Sequence, residues 1–328
     1  TISARSVRSA RRNLSRAGVA KNRSRSAISV PRARAAGRGA SSRPALASIA
    51  RIGEPLAPFH FGYVLGPRIN AGGRIGNAAL GAQLLTIEDR EGALALAGEL
   101  DALNAQRQAI EADMVEQARA EAERELQSAN PPSVIVTESD RWHPGIAGLI
   151  AARLRESFRK PAFAIAFDAN GIGTGSGRSI AGFDLGRLVR RAVEAGILDK
   201  GGGHAMAAGL TVRADHLGSL RAFFEEQAAE RVSDLVANDV LEIDGALAAS
   251  GVTAELIDRL EQAGPFGSGN PQPVFVLPHH RIGHLKPVGN GHLKMSLRGL
   301  GPGSLDAIAF RVRDEPLGRM LSYNVGNG

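Results

Sequence analysis

The sequence predicts an α/β domain, a mixed sheet with helices, preceded by a long connecting helix and followed by a partial all-β domain. Three observations predict it. Residues 133–236 alternate short apolar or β-branched runs with helical stretches. Residues 78–127 read as helix with little interruption. From Val240 the pattern turns to short strands between Gly- and Pro-rich turns.

The elements follow in order. Leu46, Ile49 and Ile52 recur at helical spacing before Gly53 stops the run. Residues 59–76, FHFGYVLGPRINAGGRIG, form a glycine-rich segment. In the long helix, Leu96, Leu100, Leu103, Ile110 and Met114 mark one apolar stripe, and Pro131-Pro132 ends it. Ser133–Thr137 is a strand and Pro144–Phe158 a helix with proline in its first turn. Ala162–Phe167 and Ile172–Arg178 form a hairpin through Asn170-Gly171. Asp184 caps a helix that runs to Ala195, where Gly196 ends it. Leu210–Arg213 is a strand, and a helix runs on to about Leu235. Phe275–Leu277, Arg281–Pro287, His292–Arg298 and Leu305–Arg311 are strands, with Asn290-Gly291 a hairpin signal. Leu293, Met295 and Leu297 share one face, and His292, Lys294, Ser296 and Arg298 the other. The chain stops at SYNVGNG with no closing strand predicted.

Charge is unevenly placed. The formal net charge is +7, but residues 1–44 hold eleven Arg, Lys21 and no acid, which leaves −5 for the rest. A general basic-surface argument for nucleic-acid binding is therefore not available to the folded body. The Arg/Ser/Ala-rich segment 1–44 cannot bury enough apolar surface to offset its ordering entropy. It reads as a basic arm, as a transit-peptide-like segment, or as non-native coding sequence. There is no cysteine, hence no disulfide or thiolate metal site, which fits a cytoplasmic protein. No apolar run is long enough to span a bilayer, and no membrane partner is expected.

Several motifs carry chemistry. Gly201-Gly202-Gly203-His204 is expected to open a short helix, His204–Ala208, whose N–H groups and imidazole could take a phosphate. The other reading is a tight connection with a surface His. Thr174–Ser179 places Ser176 and Arg178 at a strand end, as a phosphate fork or as a polar turn. Arg68, Asn70 and Arg74 sit in the glycine-rich loop, reaching phosphates or bases, or anchoring a hinge. Trp142 precedes a helix and reads first as a core anchor, second as a stacking platform. His279-His280 is expected on a strand edge with rings on opposite faces. Two-metal phosphodiester hydrolysis needs clustered Asp or His ligands. Here Asp140, Asp168, Asp184 and Asp199 are scattered, there is no DHH or HExxH motif, and no metal ligand is assigned.

The segments LGPRINAGGRIG, WHPGIAGLIAARL, GSGRS, GGGHAMAAG and PFGSGNPQPVF resemble RecJ single-stranded-DNA exonucleases in content and order, over about residues 45–320. GGGHAMAAG is shared more widely in the DHH phosphoesterase superfamily. The resemblance implies a 5′-to-3′ exonuclease that uses Mn²⁺ or Mg²⁺ and acts on single-stranded DNA with a 5′ phosphate. It implies that residues 45–130 are a catalytic-domain edge plus connecting helix, 131–238 a DHH-associated domain and 239–328 an OB-fold. By the same resemblance Ser176 and Arg178 belong to a phosphate pocket, to which the glycine-loop reading adds Gly202 and Gly203, and His204 faces the scissile region as the catalytic residue. Arg68, Asn70 and Arg74 are then expected to touch the strand. The metal-holding DHH domain is expected to be missing and the OB-fold cut short, so the isolated chain is expected to be inactive. The alternatives are a non-catalytic single-strand-binding module and an oligoribonuclease or phosphatase of the same superfamily.

Overall fold

The computed structural model describes residues 41–326 except 54, 268, 300 and 302. The readings of the basic arm fall outside these residues, save for its last four. The described residues divide between Asp239 and Val240 into two compact units, taken separately below.

The first unit opens with α1 (Ser42–Ile49), which accepts Pro44 in its first turn. Short helical turns over Pro58–Ile75 follow, then α2 (Ala79–Thr86) and the 37-residue α3 (Arg90–Leu126). The expected single helix over 78–127 is thus two. Ile87 is extended, and the Asp89 carboxylate accepts from the Glu91 and Gly92 N–H groups, capping a new start. Continuous helical periodicity hid a cap that only competes once the chain turns. Ala93, Ala97 and Leu100 of α3 pack with Leu46, Leu65, Leu80 and Leu84. Further along, Met114, Ala118 and Ala122 enter a second cluster, so one helix serves two cores.

The sheet has the order β1-β2-β3-β5-β4, with β1 (Ile135–Ser139) parallel to β2 (Ala162–Phe167) and the rest antiparallel. The helix between β1 and β2 is α4 (Pro144–Phe158), and β3 is Ile172–Arg178. The Asp184-capped α5 (Leu185–Glu194) precedes β4 (Lys200–His204) and β5 (Ala207–Arg213), and α6 (Leu217–Ala237) closes the unit. On one sheet face Phe163, Ile165, Leu210 and Val212 pack with α5 and α6 residues. On the other, Ala162, Ala164 and Ala166 pack with Ile146, Ile150 and Leu154 of α4 and with α3. Trp142 is buried in this second core, and its Nε1 donates to Gln117 Oε1 at 3.1 Å, so the core-anchor reading holds and stacking on a ligand does not.

The expected helix His204–Ala208 does not form. Residues 200–213 are a hairpin with Ala205-Met206 as its loop. Ala208, Leu210 and Val212 alternate into the core, and pairing with β3 outweighs the helix preference of the alanines. Glycines 201–203 add nothing to helix stability and tolerate the edge strand.

The side chain of Arg221 bolts α6 to the rest. It donates to Glu125, to Glu121 Oε1 at 3.2 Å and to the Val136 carbonyl at 2.8 Å. Burial raises the Glu121 carboxyl above its ordinary value, opposed by the Glu138 N–H and by Arg221.

The second unit holds β6 (Gly245–Ala246), α7 (Ala254–Gln262), β7 (Phe275–Val276), β8 (Arg281–Val288), β9 (His292–Arg298), β10 (Leu305–Ala309) and α8 (Pro316–Tyr323). A three-stranded sheet β10-β9-β8 buries Leu293, Met295 and Leu297, as their alternation predicts. The two helices were not expected. α8 runs into the start of the terminal SYNVGNG segment, for which no closing strand is expected, and Val325 bridges to Ile282 beyond it. His279 and His280 lie in a turn rather than on a strand edge: His279 is left-handed (φ +56°), and His280 Nε2 accepts from the Ala249 N–H at 3.2 Å. Pro278 interrupts strand pairing before β8 begins.

Phe163 and Phe224 are almost fully buried and stack at 5.1 Å. Phe163→Ala is expected to lower unfolding free energy by about 3–5 kcal/mol in urea titrations; a cost near zero would mean the core is not where it is placed here. Glu121, with its folded pKa raised, contributes stability that is fully present below about 4.5 and is lost as pH rises through the raised value. Stability of the wild type relative to Glu121→Gln is therefore expected to fall over that rise, read from denaturation midpoints across the window.

Candidate nucleic-acid interface

Strand register decides which polar side chains share a face. Arg178 on β3 lies opposite Ala207 on β5, and Ala207 lies opposite His204 on β4. Partners in register point to one side of a sheet, so Arg178 and His204 share a face, two strands or about 10 Å apart. The next row is Ser176, Gly209 and Gly202. On this face α4 lies over β2 and the near side of β3, and α3 lies against β1. Above β5 and β4 the floor is bare backbone. A Cβ on Gly202 would meet nothing within 4 Å, and one on Gly209 only the Gly175 carbonyl oxygen at 3.8 Å.

The near wall is α4. A Cβ on Gly148 would lie 3.0 Å from Arg178 Nη2 and 3.6 Å from Ser176 Cβ. Glycine there lets the half-buried Arg178 guanidinium lie against the helix. One turn earlier, a Cβ on Gly145 would lie 2.1 Å from the Arg74 carbonyl oxygen, so the Arg74 backbone also abuts α4. Arg74 Nη1 donates to the Gly145 carbonyl at 3.1 Å. The glycine-rich segment and the hairpin strand thus bring Arg74 and Arg178 to the same helix.

The electrostatics of this corner are unusual. Arg178 donates to its neighbour's carbonyl, Gly177 O, at 2.8 Å, and among the described residues no carboxylate pairs with it or with Arg74. Burial first, then Arg74 and Arg155, hold the Arg178 guanidinium below the ordinary arginine range. It remains charged at any working pH. Uncompensated positive charge at a half-buried site is relieved by an anion. Arg155 was not singled out from the sequence. Its signal was there in the spacing Gly148–Arg155, two turns along one face of α4.

The other sequence candidates are placed differently. Arg68 donates to Asp101 Oδ1 on α3 at 2.7 Å and to the Val64 carbonyl at 2.7 Å, which is the anchoring alternative. Asn70 is exposed at the end of its helical turn. Gly203 and Gly202 offer no helix N-terminus, because no helix starts there, and the Gly203 carbonyl accepts from Arg190 at 3.1 Å. His204 is exposed at the far end of the bare floor.

The second unit has a basic face of its own. Register sets Arg281 opposite Arg298 and Lys286 opposite Lys294, with His284 and Ser296 between them. Like charges directly opposite destabilise a strand pair. Lys294 has a partial remedy in Asp306 at 2.8 Å. The remaining basic side chains of this face have no such remedy in register among the described residues.

Among the described residues no three His, Asp or Glu side chains are grouped to hold a metal ion. The described residues therefore do not fit a divalent metal. No described helix is long and apolar enough to cross a membrane.

Residues 132–230 match the DHHA1 domain and residues 243–324 the RecJ OB domain. The chain is similar to the single-stranded-DNA-specific exonuclease RecJ of Dickeya dadantii, 36% identical over 283 residues, covering 84% of this chain and 49% of the relative. The Escherichia coli exonuclease of the same name is 35% identical over the same shares. The crystal structure of RecJ from Thermus thermophilus in complex with Mn²⁺ superposes with a TM-score of 0.65 at 28% identity, over 83% of this chain and 38% of that one. The chain spans about half the length of the curated relatives it matches. A DHHA1 domain with its mixed sheet, a RecJ OB domain after it and extended identity to several RecJ exonucleases together mean that this chain belongs to the RecJ family.

Proposed function

We propose that this chain is the strand-gripping half of a 5′-to-3′ single-stranded-DNA exonuclease of DNA repair and recombination in the cytoplasm. One observation carries the reading: Arg178 is half-buried and without a carboxylate partner among the described residues, and it stands beside Arg74 over a glycine floor. A terminal phosphate carries up to about two negative charges and several acceptor oxygens. Arg178 supplies a fork to that phosphate, Ser176 a hydroxyl and Arg74 a second cation. Bare backbone at Gly202 and Gly209 lets the first sugar lie flat between Arg178 and His204. From the far strand, the His204 imidazole donates to an oxygen of the phosphodiester that is cut. Phosphate contacts carry no base information, which suits an enzyme that must degrade any sequence.

The basic β8–β9 face of the second unit, taken by itself, suits phosphate contacts of the same kind with a single strand. The relatives' names state the substrate class, single-stranded DNA, and the activity, exonuclease. Divalent metal belongs to the reaction of the whole enzyme: the Thermus thermophilus relative was solved with Mg²⁺ and with Mn²⁺.

In anisotropy titrations the chain is expected to prefer a 5′-phosphorylated oligonucleotide over its 5′-hydroxyl counterpart by about tenfold or more. Arg178→Ala should erase that preference and reduce the salt slope by about one. A preference that survives the substitution would refute the pocket. Given Mn²⁺ and labelled single-stranded DNA, the purified 328-residue chain is expected to leave the substrate intact; steady shortening from the 5′ end would show that this chain holds its own reaction centre.

A further inference from the structure

The phosphate corner holds more positive charge than one terminal phosphate needs. Three arginines stand along α4. Arg74 is bonded to the Gly145 carbonyl, and Arg178 lies against Gly148. Arg155 lies seven residues beyond Gly148, two turns along the same helix face. Long side chains on a helix lean back toward its N-terminus, so the Arg155 guanidinium is directed toward Gly148 and Arg178 rather than away from them. The repulsion Arg155 exerts on Arg178 agrees with that placement. Between them Gly148 and Ala151 are buried against the sheet and Ala152 is half-buried, so no large side chain separates Arg155 from Arg178 along this face.

Arg155 has little else to do. Its ion-pair partner is the adjacent Glu156, at 3.6 Å, and that carboxylate is already taken by Arg153 Nη1 at 3.1 Å. An exposed pair of that length contributes next to nothing. Three guanidinium charges thus face a terminal phosphomonoester bearing about two. The surplus sits on the side of Arg178 away from Arg74.

We propose that Arg155 receives a second phosphoryl group joined to the terminal one, so that this corner takes strand ends bearing a 5′-diphosphate or triphosphate as well as a monophosphate. The proposal rests on the phosphate-pocket reading given above and extends it to a substrate class. The terminal monophosphate position lies between Arg178 and Arg74. The next phosphoryl group lies toward Arg155, along α4.

Calorimetric titration of the purified chain with inorganic phosphate and with pyrophosphate, at matched ionic strength and without divalent metal, tests it. Pyrophosphate is expected to bind about tenfold more tightly than phosphate to the wild type. Arg155→Gln should bring the two within about twofold while leaving phosphate affinity nearly unchanged, because Arg178 and Arg74 remain. Arg178→Ala should weaken both anions. Equal affinities in the wild type, or a pyrophosphate advantage that persists in Arg155→Gln, would overturn the proposal. The preference for a 5′-phosphorylated over a 5′-hydroxyl oligonucleotide separates the two readings. If that preference stands and the pyrophosphate advantage is absent, only the second phosphoryl site fails; if the preference is also absent, the pocket itself fails.

Discussion

The polar face of the sheet depends on one latch. The Ala205-Met206 loop of the β4–β5 hairpin is tied to the chain leaving β3 by two backbone bonds, Ser179 N–H to the Met206 carbonyl and Leu185 N–H to the Ala205 carbonyl, each 3.0 Å. Inside that crossing, the buried Ser179 hydroxyl donates to the Phe183 carbonyl at 2.7 Å. α5 closes on it so tightly that a Cβ on Gly186 would lie 2.5 Å from the Gly203 carbonyl oxygen. Two segments about thirty residues apart in sequence are thereby held in one register. Slip that register by one residue and His204 would turn to the core face.

The latch matters because it sets charge against open space. Arg178 emerges at the end of β3 where α4 stops covering the sheet and the glycine floor begins. A structural arginine in such a place would be given a carboxylate, as Arg221 is given Glu121 and Glu125 elsewhere in the unit. Arg178 is given Arg74 and Arg155 instead. The contrast between a bolted arginine and an unpaired one within the same domain is the strongest physical sign of which one meets a ligand.

The second unit repeats the logic with less burial. Its inner face is apolar and closed, while its outer face sets like charges in register across β8 and β9. Such pairing costs sheet stability.

Local pattern was enough for most of the elements. Pro144–Phe158, Ala162–Phe167 and Ile172–Arg178 follow from periodicity, a proline start and an Asn-Gly turn, all written within a few residues. The asparagine-glycine turn before β9 and the apolar alternation within it are local in the same way. The break at Asp89 and helices α7 and α8 were missed. Their caps and short apolar faces gain weight only once packed. By itself the sequence determined that Arg178, His204 and Arg74 belong to glycine-rich segments suited to anions. Tertiary structure alone decided that 201–209 is a hairpin, that Arg178 and His204 share a face, that Arg68 is spent on Asp101, and that Arg155 joins the cluster. The reason is physical: facing and pairing are set by strand register and helix packing between distant segments, and no local run of residues encodes them.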